Sequence, residues 1–150
     1  MVQVVLFRPE IPQNTGNVVR TCAVTGASLT LVTPLGFSTC SRRLRRAGLD
    51  YWEGVDVTII DNLEKYLQET SRKFYFFSSK ATKCYSDVSY QPDDLLIFGS
   101  ETSGLPAHYY QQWEEHLVTI PMLPEARCLN LATSVGIVVY EAWRQQKFNK

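Results

Sequence analysis

Six short runs rich in β-branched and aromatic residues, "VQVVLF", "SLTLV", "VDVTII", "KFYFFS", "LLIFGS" and "LVTIP", recur along the chain, most of them bounded by turn or cap residues. They predict six strands. Helical patterns fall between them at 15–25, around 41–47, at 62–70 and at 106–113, and a last one at 129–146 closes the chain. Asp61 followed by Glu64 reads as a capping box, and Gly26 in "TGAS" as a helix stop. Strand and helix in alternation predict an α/β fold, a mostly parallel six-stranded sheet with helices on both faces. With 150 residues, 45% of them hydrophobic, one compact domain over 1–150 is expected.

In such sheets ligands sit beyond the carboxyl ends of the strands, so the segments after each strand carry the functional information. Here they are "RPEIPQNTGNVVR", "SKATK", "SETSGLP" and "PMLPEARCLN", all rich in Gly, Pro and polar groups. Asn14 is well typed to cap the first helix, and Arg20 lies inside an otherwise small and apolar stretch, where a guanidinium suits a phosphate or a developing oxyanion. Gly99 and Gly104 flank a single carboxylate, Glu101, which can accept from amides or hydroxyls while the glycines permit close approach of a flat ligand. No lysine follows these glycines as in a Walker loop, and GxGxxG is absent, so triphosphates and nicotinamide dinucleotides lose support. The apolar "IPMLPEARCLN" before the last helix suits an adenosine better than a polyphosphate.

Fifteen basic residues balance fifteen acidic ones, so any nucleic-acid contact has to be local. The concentrated positive charge is "SRRLRRAGLD", where Arg42, Arg43, Arg45 and Arg46 stand near Tyr51 and Trp52; phosphate grip with stacking and a merely solvated helix face are both open readings. Cys22, Cys40, Cys84 and Cys128 form no CxxC, and His108 and His116 form no HExxH, so no metal and no disulfide framework is expected. The absence of a membrane-length apolar run and of a signal-peptide pattern leads to the expectation of a cytoplasmic protein with no membrane association.

"PEIPQNTGNVVR", "RRLRRAGLDYW", "FGSETSGLP" and "IPMLPEARCLNLATSVGIVVYEAWRQ" together, in this order and over nearly all of the chain, closely resemble the motif regions of the SpoU branch of the SPOUT RNA methyltransferases, in particular its minimal tRNA 2′-O-methyltransferases. The resemblance implies a C-terminal deep trefoil knot, which general topology rules argue against. It implies S-adenosylmethionine as cofactor, S-adenosylhomocysteine as product, a homodimer, and tRNA as partner. The implied reaction is methylation of a ribose 2′-hydroxyl, that of the wobble cytidine or uridine of the anticodon loop. By the same carry-over, Phe77, Gly99, Ile120, Cys128 and Leu129 contact the cofactor. Arg20 matches an essential arginine, and Asn14, Glu101 and Asn130 match polar residues shaping the active site. Relatives commonly have serine where this chain has Cys128. Arginine is a poor base at neutral pH, so Arg20 is expected to bind the neighbouring phosphate and stabilise oxyanion character. The remaining readings are a SPOUT enzyme for another tRNA or ribosomal RNA nucleotide, a non-catalytic knotted RNA-binding module, and a Cys128-nucleophile enzyme.

Overall fold

The computed structural model describes residues 1–38 and 54–150. All six strands expected from the apolar runs are present: β1 (Gln3–Phe7), β2 (Ser28–Val32), β3 (Val57–Ile60), β4 (Phe74–Phe77), β5 (Leu95–Phe98) and β6 (Leu117–Val118). They form one sheet in the order β3-β2-β1-β5-β4-β6, and every pairing is parallel. Side chains along the inner strands alternate between two cores, while the edge strand β3 leaves Thr58 and Ile59 exposed. Val4, Leu6, Leu96 and Phe98 enter one, and Val5, Phe7, Leu95 and Ile97 the other, as the two-residue period of a strand demands. Being buried on both sides explains why the strand sequences read as continuous apolar runs.

The first core is covered by α1 (Pro12–Thr25) and α4 (Leu131–Gln145), the second by α2 (Leu63–Glu69) and the short α3 (Tyr109–Gln112). Helix α1 is poor in strong helix formers, carrying Gly16 and several β-branched residues, so packing of Val18, Val19 and Cys22 against the sheet holds it. Its start departs from the sequence expectation. The helix begins at Pro12, where a missing N–H costs nothing, and Ile11 occupies the cap, leaving Asn14 as the third helical residue, buried. Its end is as expected: Gly26 takes φ 78 and donates its N–H to the Cys22 carbonyl at 2.9 Å. Helix α2 is capped by Asn62, whose side chain accepts from the Lys65 N–H at 3.0 Å, rather than by Asp61.

In α4, Leu131, Val135, Val138 and Val139 are buried within the chain's own core. The apolar stripe of this helix is therefore consumed by folding. The helix pattern around 41–47 and the four arginines Arg42, Arg43, Arg45 and Arg46 lie outside the described residues.

Candidate active site

All strands being parallel, their carboxyl ends share one edge. From β1 the chain proceeds outward to β2 and β3, whereas from β5 it goes past β4 to β6, so the connections diverge at the β1–β5 boundary. A crevice belongs at such a divergence. A cavity of about 520 Å³ opens there, within the size range of small-molecule sites. Its walls are the segments after β4 (Ser78, Lys80), β5 (Gly99 to Leu105) and β6 (Ile120, Met122), closed by the first turns of α1 and α4. At the opposite edge, Gln3 is held by the Thr30 hydroxyl and the Arg72 guanidinium, a polar cluster that closes on itself.

A ladder of hydrogen bonds fixes the rim. Glu101 accepts from the backbone N–H of Glu10 at 2.7 Å and of Ile11 at 3.3 Å, placing a carboxylate at the amino end of α1. That charge complements the helix dipole. The Thr102 hydroxyl returns the contact, reaching both carboxylate oxygens of Glu10 at 2.7 and 2.8 Å and holding that carboxyl below the usual carboxylate range. In the first turn of α1, Asn14 accepts from the Asn130 amide at 2.9 Å. Asn130 is also the cap of α4, its oxygen accepting from the Thr133 N–H at 3.2 Å.

The glycines of "FGSETSGLP" line the cavity and also let the loop pack on itself. A Cβ on Gly99 would stand 2.5 Å from the carbonyl carbon of Gly104, so the loop's own backbone fills that space. Ser100 and Gly104 exchange backbone hydrogen bonds at 3.2 and 2.9 Å, and Gly104 adopts φ 64. The loop is a closed hairpin whose residues line the cavity.

The sequence-selected residues Asn14, Phe77, Gly99, Glu101, Ile120, Cys128, Leu129 and Asn130 all line this one cavity. Arg20 does not; it is exposed on α1, two turns beyond its start. Cys128 is exposed with its sulfur 3.9 Å from the Ser79 hydroxyl. Sequence reading missed three contributors. The Ser78 hydroxyl lies 3.1 Å from the Tyr110 hydroxyl, and the Lys80 ammonium stands 5.2 Å from the centre of the Tyr110 ring. Tyr110 arrives from α3 on the other face of the sheet, and only its "YYQQ" context marks it, which reads as an ordinary helix.

The fold recurs in a SpoU methyltransferase, AviRb from Streptomyces viridochromogenes, solved with the cofactor AdoMet. It is 21% identical with a TM-score of 0.85, over 99% of this chain and 58% of that one. The chain belongs to the SpoU rRNA Methylase family, whose model matches residues 1–140. Among its relatives is the tRNA (cytidine(34)-2′-O)-methyltransferase of Escherichia coli strain K12, 46% identical over 147 residues, which are 97% of this chain and 94% of that protein. A solved structure reported under the words "Structural insights into the 2-OH methylation of C/U34 on tRNA" is 40% identical with a TM-score of 0.92, covering 99% and 98% of the two chains.

Proposed function

We propose that this chain is an S-adenosylmethionine-dependent tRNA 2′-O-methyltransferase acting on the wobble cytidine or uridine, nucleotide 34. The observation that carries the reading is end-to-end similarity, at 46% identity, to a protein named for that reaction, with the expected residues gathered round one cavity.

The cavity suits the cofactor. Its volume of about 520 Å³ and its mixed lining, apolar at Phe98, Leu105, Ile120 and Leu131 and polar at Ser78, Ser100 and Thr119, match an adenosine joined to a charged amino-acid tail. Phe77, Gly99, Ile120, Cys128 and Leu129 would hold it. Bound there, S-adenosylmethionine supplies an electrophilic methyl group on a sulfonium sulfur, which leaves as the thioether of S-adenosylhomocysteine when the 2′-oxygen takes the methyl.

The protein's tasks are then placement and charge. Glu101 spends its acceptor capacity on α1 and so fixes the helix that bears Asn14 and Arg20. Asn14 and Asn130 tie that helix to α4 at the cavity mouth. Arg20 binds the phosphate beside the target ribose and stabilises oxyanion character on the 2′-oxygen as its proton passes to solvent water. Arg42, Arg43, Arg45 and Arg46 grip further phosphates of the anticodon arm.

The reading extends to a homodimer, a knotted C-terminal segment and a cytoplasmic location. With the valines of α4 used internally, the exposed Val24 of α1 and Tyr140 of α4, on two helices covering the same core, support the pairing surface. The return of α4 to pack against α1 after β6, at the far edge of the sheet, supports the threading. No helix among the described residues is long and apolar enough to cross a membrane.

The test is radiolabelled methyl transfer from S-adenosylmethionine into bulk tRNA, followed by nuclease mapping. Label at the 2′-oxygen of nucleotide 34 is expected. Label in ribosomal RNA alone, or at another tRNA position, would overturn the substrate assignment.

A further inference from the structure

A second cavity, of about 410 Å³, lies on the other side of the Ser100–Leu105 hairpin, sharing Ser100, Ser103, Gly104 and Leu105 with the first. Its remaining wall comes from the ends of β1 and β2: Phe7, Arg8 and Glu10, with Pro34, Leu35 and Gly36. Resting on the reading above, we propose that this cavity seats an RNA nucleotide adjacent to the methylated one, with its phosphodiester on Arg8 and its base against Pro34, Leu35 and Pro106.

Three observations carry it. First, Arg8 is the one cation among the described residues lining the cavity, and it is exposed. Its guanidinium carbon stands 5.0 Å from the centre of the Phe7 ring, which orients the fork and leaves its N–H groups for an anion. Second, Arg8 occupies φ 47, a conformation that glycine adopts freely and arginine does not. A strained residue persists where its surroundings hold it, and here its N–H donates to the Val32 carbonyl at 3.0 Å. Third, the wall is rigid. The Gly36 N–H donates to the Pro9 carbonyl at 2.9 Å, and a Cβ on Gly36 would meet the Glu10 Cα at 2.7 Å.

The lining also combines the cationic Arg8 and the acidic Glu10 with the apolar Phe7, Pro34, Leu35, Leu105 and Pro106. A nucleotide calls for the same set of partners: a cation for its phosphate, an apolar wall for its flat base and, for cytosine, adenine or guanine, a carboxylate that accepts from the amino group. A free inorganic anion would use only Arg8 and would be repelled by Glu10.

The experiment compares wild type, Arg8→Gln, Arg8→Lys and Arg8→Gly on an anticodon stem-loop RNA. It measures KM, kcat, stem-loop binding against salt, S-adenosylmethionine affinity and the urea midpoint. Arg8→Gln should raise KM about tenfold, the worth of one charge-assisted hydrogen bond. It should also flatten the salt slope by about 0.7, one phosphate on a single strand, with kcat and cofactor affinity unchanged. Arg8→Lys should fall between. Arg8→Gly relieves the backbone strain, so it should match or exceed wild type in urea while losing as much RNA affinity as Arg8→Gln, a split that a structural arginine would not give. Wild-type KM and salt slope in both Arg8→Gln and Arg8→Gly would overturn the proposal. A wild-type chain that binds the stem-loop through Arg8 yet transfers no methyl group would overturn the assigned reaction instead and leave the nucleotide seat standing.

Discussion

The amide of Asn130 donates to the amide oxygen of Asn14 at 2.9 Å, joining the first turns of two helices whose linked residues lie 116 positions apart. Because Asn130 also caps α4, one side chain sets both the helix start and its distance from α1. Asn130→Ala removes both contacts and should lower stability by about 1–2 kcal/mol in urea unfolding. Methyl transfer at saturating cofactor should fall at least tenfold, since a misplaced helix mouth disturbs the reacting geometry. Asn130→Asp, an equally good cap, should keep most of the stability.

Gly99→Ala tests the closed hairpin. With a Cβ 2.5 Å from the Gly104 carbonyl carbon, the loop must open, at a cost of about 1–3 kcal/mol. The Ser100–Gly104 pairing lines the cavity, so cofactor affinity by calorimetry should drop alongside stability, whereas Ser103→Ala at the exposed tip should change neither by much.

Arg20→Ala should abolish methyl transfer with little change in S-adenosylmethionine affinity, because Arg20 is outside the cavity lining. Loss of cofactor binding in a folded Arg20→Ala protein would move this residue into the pocket and undo its assignment to the substrate.

The thiols separate by environment. Burial pushes Cys22 up to about 12, so below that pH it stays a protonated, inaccessible thiol, while Cys128 is exposed at the cavity. With N-ethylmaleimide at pH 8, mass spectrometry should find Cys128 modified and Cys22 untouched in the folded protein, and S-adenosylmethionine should protect Cys128. Cys128→Ser should remain active; an inactive, folded, cofactor-binding variant would put the thiol in the chemistry.

Replacing Arg42, Arg43, Arg45 and Arg46 together by Gln should weaken tRNA binding and flatten its salt dependence, with cofactor affinity retained. An unchanged slope would return the cluster to the role of a solvated face.

Much of this architecture is legible in the sequence because a sheet buried on both faces writes itself as uninterrupted apolar runs, and the six runs became six strands. What stayed hidden has a common cause. Asn14 reads as a cap because it has the right chemistry near a helix start. The side chain that holds this helix start is Glu101, which reaches the amides of Glu10 and Ile11 from across the β1–β5 divergence, and no local pattern announces a contact supplied from there. The α4 valines show an apolar stripe without saying which surface will bury it. Tyr110 meets Ser78 only because the end of β4 and the helix α3 on one face of the sheet converge at the same edge. Asn14, Gly99 and Glu101 are legible as polar and glycine positions just after strands, whereas Phe77, Ile120, Cys128, Leu129 and Asn130 are marked only by motif resemblance.

The strand order has a kinetic consequence. The central strand β1 pairs with β5, and Glu101 reaches Glu10 over 91 positions, so neither half of the site exists as a local unit that could form early. Loop-closure entropy has to be overcome before these parallel pairings are rewarded, which places this chain among slow, high-contact-order folders. In refolding, helical signal from α1 and α2 can return while the β1–β5 seam is still open. Cofactor binding should then recover only with the last phase, making catalytic competence a readout of completed folding.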